Sequence, residues 1–433
     1  MKLRRRLVLA SSFASLALVS LAACSAATES EEQGETADAI SISNLVHLAK
    51  GDLDRSKPDP FNPWAKKALA IGEENRLPDE DAEFKAIGSL VNRFQEHAKA
   101  EASAAKVSRA FHAKTHACVK GELSLDVSAL PASAKVGLFA ANAKFGAWAR
   151  FSNGVGSKQS DKKLDMRGFA IKILGVPGAR AKGVPGNDTA TTQDFLMANQ
   201  PIAPASDARH MMAFGEAMMG SADSGTLLGK VDNLIQAGAF LTSDENVRIV
   251  DFLANWVLDK TRNTGSLLGD TYFTGAPYAL GLEAGDPTTA KAKGAFKLVA
   301  KTGVVKNGKC TPIVGKPNDK DPEFMRTDLE KRFAESDVCA DLFVQLQEDP
   351  AAQPIEDVSV PWKSPQIPVG SIVFEKRKLA DGAADQAKCE NFSFQPWHSL
   401  EVHRPLGNAM RARRYALPSS ASLRNADGRE PTP

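Results

Sequence analysis

Between residues 116 and 200 the chain is divided into short runs that read as strands. VKGELSLDV, WARFSNG, GFAIKILGV and DFLMANQ are apolar or alternating, and Gly, Asn, Asp and Pro separate them. Successive runs of this kind pair antiparallel, so the stretch predicts a meander that forms part of a barrel. GAFKLVAKTGVV and QIPVGSIVFEKRKL read as two more strands, with a helix over DPEFMRTDLEKRFAES between them. Residues 206–265 have helical spacing, as in ARHMMAFGEAMM and VRIVDFLANWVLD, and so do residues 41–108, as in AEFKAIGSLVNRFQEHAKA. Strands in runs, with helices before and after them, define an α+β class: an antiparallel β-barrel core with flanking helices.

The N-terminus reads as an export signal. Lys2, Arg4, Arg5 and Arg6 precede an apolar run too short for a stable membrane span, and it ends in Leu21-Ala22-Ala23-Cys24. That ending resembles a bacterial lipobox, so Cys24 is the expected lipidation site. The expectation is an exported lipoprotein of the bacterial cell envelope, anchored to the membrane by its acyl chains. SAATESEEQGETADA follows, with five acids and no base, and reads as a flexible tether. The expected division is a signal peptide over 1–23, the tether over 24–40, a helical arm over 41–104 and a folded domain over 105–433, with no internal repeat. The arm is a candidate packing element in a homo-oligomer. The four positive charges of the leader, removed from a formal +2, leave −2, which gives no electrostatic case for nucleic acid.

Cys118, Cys310, Cys339 and Cys389 remain after Cys24. In an exported chain they suit disulfides, with three connectivities open for two bridges and one bridge expected among the last three. Their spacing has no CxxC or Cys/His cluster that suits structural zinc.

RAFHAKTHACVKG places His112 and His116 four residues apart. A zincin helix needs Glu directly after the first histidine, and Ala113 stands there. The segment also runs into a strand, where residues four apart are about 13 Å from one another. Read alone, the two are partly exposed loop histidines. A hydrolase is disfavoured by the lack of a G-x-S-x-G elbow.

Five segments in order resemble haem catalases. They are Arg109-x-x-His112-Ala113-Lys114, Ala149-Arg150-Phe151-Ser152-Asn153, Asp165-Met166-Arg167-Gly168-Phe169-Ala170-Ile171-Lys172, Asp194-Phe195-Leu196-Met197-Ala198-Asn199-Gln200-Pro201 and Tyr272-Phe273-Thr274-Gly275-Ala276-Pro277-Tyr278. The likeness covers roughly residues 105–415. It implies a catalase-like fold with haem b in a pocket between barrel and helices. By the same resemblance His112 is the distal acid/base, Ser152 steadies its imidazole and Asn199 offers an amide to the peroxide. Arg109 and Arg150 pair with haem propionates, and Phe151 belongs to the cofactor pocket. Arg167 is structural, and His116 is second to the site or exposed. An imidazole suits the proton transfer because its pKa lies near working pH.

The resemblance breaks on the proximal side, where catalases ligate iron through a tyrosine in R-x-x-x-Y. The corresponding stretch, residues 391–407, has no tyrosine; Gln395 stands in its place. His398 becomes the candidate axial ligand, with His403 as runner-up. The pattern resembles a divergent bacterial branch of the superfamily that also contains allene oxide synthases. It implies a peroxidase or hydroperoxide-rearranging protein acting on organic or lipid hydroperoxides. The alternative is a non-catalytic haem- or lipid-binding surface lipoprotein that has lost the proximal ligand.

Overall fold

The structure, a computed structural model, describes residues 56–59, 62–65, 69–101, 109–183 apart from 157 and 164, 190–212, 248, 252, 265–315 and 320–424. The leader, the lipobox, the tether and most of the helical reading over 206–265 lie outside them.

The strand readings hold. β1 (Thr115–Leu125), β2 (Ala143–Asn153), β3 (Arg167–Ile173) and β4 (Gln193–Ala198) form the expected meander, and β5 (Thr271–Thr274) continues it. β7 (Ala295–Lys306), β9 (Val338–Leu346) and β10 (Gln366–Phe374) complete the circuit. β10 returns to β1 and β5 pairs with β7, which closes eight antiparallel strands into a barrel. Closure leaves these strands without an open edge. The two-residue β6 (Tyr278–Ala279) and the short β8 (Lys309–Thr311) are appended to β7.

Alternation sorts each strand into two faces. Ala147, Ala149 and Phe151 of β2, Phe169 and Ile171 of β3, and Phe195 of β4 belong to the buried barrel core. Rings hold its centre together: Phe139 meets Phe296 at 5.3 Å and Phe195 meets Tyr278 at 5.0 Å between centroids. Burying one such side chain contributes about 1.5–3 kcal/mol. The other face carries Trp148, Arg150 and Ser152 on β2, which leaves those side chains outside the barrel wall.

Helices pack against that outer wall and at the barrel's end. α1 (Glu80–Glu101) begins with Glu80, Asp81 and Glu83, charges that suit a helix N-terminus. Helix is confined to that part of the described arm; residues 69–79 form turns and extended chain, and residues 41–55 lie outside the described residues. α2 (Phe324–Glu335) inserts Phe324, Met325, Leu329 and Phe333 into the core, as DPEFMRTDLEKRFAES predicts. α3 (Ala383–Asn391) lies on the outer face of β1, and α4 (Asn408–Leu423) packs against α1. The arm is fastened to its own chain by buried charges. Arg411 meets Glu74 at 2.7 Å, Glu80 at 2.7 Å and Glu356 at 3.1 Å.

Two disulfides are present. Cys310–Cys339 ties β8 to β9, which meets the expectation of a bridge in the C-terminal third. Cys118–Cys389 joins β1 to α3 across 271 residues. Among the described residues no helix is long and apolar enough to cross a membrane.

Candidate active site

The register of β2, β3 and β4 lays Ser152 beside Gly168, and Arg150 beside Ala170. Ala170 in turn faces Leu196. These outer-face positions form one wall of a cavity of about 90 Å³, and Leu196 also lines an adjoining cavity of about 250 Å³. The opposite wall is α4, which contributes Ala409, Ala412, Arg413, Ala416, Leu417 and Ser420 at helical spacing.

His112 lines both cavities. It sits just before β1 in the left-handed region, with φ 56°, a costly conformation for a residue with a Cβ. Its backbone N–H donates to Gly154 O at 2.9 Å, and its carbonyl accepts from the Arg150 guanidinium at 2.8 Å. The imidazole Nδ1 lies 3.2 Å from Ser152 Oγ, so Nε2 is the nitrogen left for a ligand. Gly168 makes this placement possible: a Cβ there would stand 2.4 Å from His112 Nδ1 and 2.7 Å from Ser152 Oγ. Burial, and then the charge of Arg150, lowers the His112 pKa to about 4. The imidazole is therefore neutral at pH 7.

Three arginines gather at the end of the smaller cavity. Arg109 donates to Glu390 O and Phe392 O, both at 3.1 Å, at the C-terminal end of α3. Arg150 Nε lies 3.3 Å from Glu390 Oε1, and Arg424 donates to Glu390 O at 2.9 Å. The Glu390 pKa is lowered; burial opposes this, and Arg150 and Arg109 outweigh it. One carboxylate thus faces three guanidiniums.

Several predicted residues are placed elsewhere. Phe151 points into the barrel and packs on Phe169 at 4.8 Å, so it does not line the cavity. Its neighbours Arg150 and Ser152 already occupy the outer face. The Asn199 amide is committed: Nδ2 donates to Asp270 at 3.0 Å and Oδ1 accepts from Arg167 N at 2.8 Å. It is absent from the walls of both cavities, so it does not face the space in front of His112. His116 is fully buried on β1 and bonds Asn153 Oδ1 at 2.7 Å through Nε2, so it is not an exposed loop residue. Arg167 donates to the same oxygen at 2.9 Å, as suits a structural arginine.

His398 lies outside both cavities, one row further along the barrel wall. Its Nδ1 is 3.4 Å from Asp194 and 3.3 Å from Lys172 Nζ, and those two residues form a buried ion pair at 2.6 Å. His403 is locked by the backbone: Nδ1 bonds Ala279 O and Nε2 accepts from Leu138 N, each at 3.0 Å. Neither histidine is presented as an axial ligand.

The R-x-x-x-Y spacing does occur, at Arg411-Ala-Arg-Arg-Tyr415 on α4, beyond the stretch where the resemblance places it. The structure turns both residues away from the cavity. Arg411 holds the arm, and the Tyr415 hydroxyl donates to Asp81 of α1. The cavity-facing position two residues earlier is Arg413. Arg413, Arg424 and Gly168 were not singled out for the site from sequence. For the two arginines, the recurrence of Ala409, Arg413, Ala416, Ser420 and Arg424 at intervals of three and four was the available signal.

Haem therefore meets a partial fit. The wall of His112 and Ser152 suits it, and so does the arginine end. Among the described residues lining the cavities, the wall opposite His112 offers no tyrosine, cysteine or histidine to ligate iron. As an iron-ligating site the arrangement does not fit.

No family model matches the chain, and no curated protein matches it. Solved structures do. A fungal catalase has a TM-score of 0.56 at 18% identity, over 83% of this chain and 66% of its own. Catalase A from Saccharomyces cerevisiae has 0.53 at 17%, over 83% and 67%. A bacterial catalase has 0.52 at 16%, over 84% and 64%. The chain spans about two thirds of the length of these structures. With its closed eight-stranded antiparallel barrel and flanking helices, the chain has the catalase-like α+β fold.

Proposed function

We propose that the protein acts on peroxides, with organic or lipid hydroperoxides as its substrate class and His112 as the acid/base. The observation that carries this reading is the neutral His112 imidazole, fixed by Ser152 and Gly168 against an apolar cavity. A hydroperoxide O–H placed at Nε2 finds a neutral base that can take up and hold its proton. Ser152 holds the ring while Arg150 clamps the backbone beneath it. The apolar walls exclude water and receive the organic part of the substrate. Haem b enters the proposal through the fold alone, and wherever it binds it would supply the redox chemistry. Because no axial donor faces the cavity, no step is derived through it.

That mismatch favours a second reading, a lipid-binding surface lipoprotein without turnover. Export, anchoring through Cys24, and homo-oligomerisation through the arm belong to the same proposal and rest on the leader and arm sequences. Reconstitution of the full chain with haem separates the readings. Peroxide consumption with a stoichiometric Soret band supports the first. Absence of both supports the binder.

A further inference from the structure

The arginine end of the cavity has unused donors. Arg424 is only 7% exposed, yet its Nε has no hydrogen-bond partner, and its bond to Glu390 O engages one of its other nitrogens. Arg109 Nε is likewise buried without a hydrogen bond; Glu390 Oε2 lies 3.7 Å away. Buried donors of this kind are costly unless a ligand completes them. With Arg150 they outnumber the single carboxylate of Glu390 three to one. Beyond them the space becomes apolar: Phe111, Leu196, Met197 and Leu417 line both cavities, and Met166 and Ile202 line the larger one.

We propose that this is a carboxylate subsite, and that the cavity takes a long-chain carboxylic acid with its head on Arg424 and Arg109. The alkyl chain then runs past His112 into the larger cavity. This deepens the hydroperoxide reading by giving the substrate a free carboxyl group, and it rests on that reading only for turnover. A porphyrin propionate shares the head-group chemistry. The missing iron donor favours the free acid.

The test is binding to the full chain without added haem, by calorimetry. The probes are oleic acid, its methyl ester and metal-free protoporphyrin. Oleic acid is expected to bind one per chain, with the ester at least tenfold weaker. Arg424→Gln is expected to weaken the acid at least tenfold and leave the ester unchanged. Ala416→Trp, which fills the cavity while leaving every arginine in the chain, is expected to abolish binding. Circular dichroism confirms that each variant is folded. Equal affinity for acid and ester, unchanged affinity in Arg424→Gln, or binding of protoporphyrin but not oleic acid would each overturn the proposal. Oleic acid binding that depends on Arg424, in a parent chain that consumes no peroxide, would leave the subsite standing and remove the hydroperoxide reading, which keeps the two distinguishable.

Discussion

His112 and Ser152, forty residues apart in sequence, meet at 3.2 Å because Gly168, without a Cβ, leaves room for both side chains. Three chain segments thus fix one imidazole. Gly168→Ala is expected to displace it, since the added methyl would stand 2.4 Å from His112 Nδ1 and 2.7 Å from Ser152 Oγ. Overpacking of this kind costs about 1–3 kcal/mol. Thermal unfolding should show that loss together with a rise in the His112 pKa by NMR titration. An unchanged pKa would mean that the ring is not held as described.

His403 gives the clearest pH dependence. Its Nε2 accepts from Leu138 N, so a proton there would oppose an N–H, and burial lowers its pKa to about 4. As pH falls below about 6.5 the unfolded chain takes up the proton first. Stability present above pH 6.5 is therefore lost down to about pH 4, at about 1.4 kcal/mol per pH unit for each such histidine. Denaturant unfolding at pH 7 and 5 measures this slope. His403→Gln should flatten it by about one histidine's share.

Lys172 and Asp194 are both fully buried. Burial works to raise the Asp194 pKa, but the Lys172 charge and then His398 bring it below the usual carboxylate range. Lys172→Met should cost about 3–5 kcal/mol, the penalty for stranding one charge. The double variant with Asp194→Asn should recover much of that loss. If the single variant is as stable as the parent, the pair is not a buried one.

The Cys118–Cys389 bridge anchors α3, whose terminal residues hold Arg109, Arg150 and Arg424. Cys389→Ser is expected to cost about 2–5 kcal/mol. It should also loosen the arginine end, visible as faster amide exchange in α3. Exchange confined to its parental rate would detach the bridge from the site.

The barrel was legible because alternation is local: each strand of the meander shows its two faces within a few residues. The same alternation places Phe151 opposite Arg150 and Ser152, so its exclusion from the cavity was readable from the sequence. Asn199 was not readable, since its direction depends on Asp270, 71 residues away. His398 was misplaced for a similar reason. Its distance from the cavity follows from the register of Lys172 with Asp194, which no local pattern encodes. Arg413 lies on α4 and Arg424 directly follows it, and no helix over residues 408–423 was read from the sequence. Burial of Arg424, which makes its free donor significant, needs the packed fold.

The central claim, that His112 moves the peroxide proton, is tested most directly by the rate of organic hydroperoxide consumption in haem-reconstituted parent and His112→Gln protein. Haem content is matched in the two samples. A loss of about 10²–10⁴-fold is the result the account predicts. A variant within about threefold of the parent would contradict it, given that scale for a general acid/base.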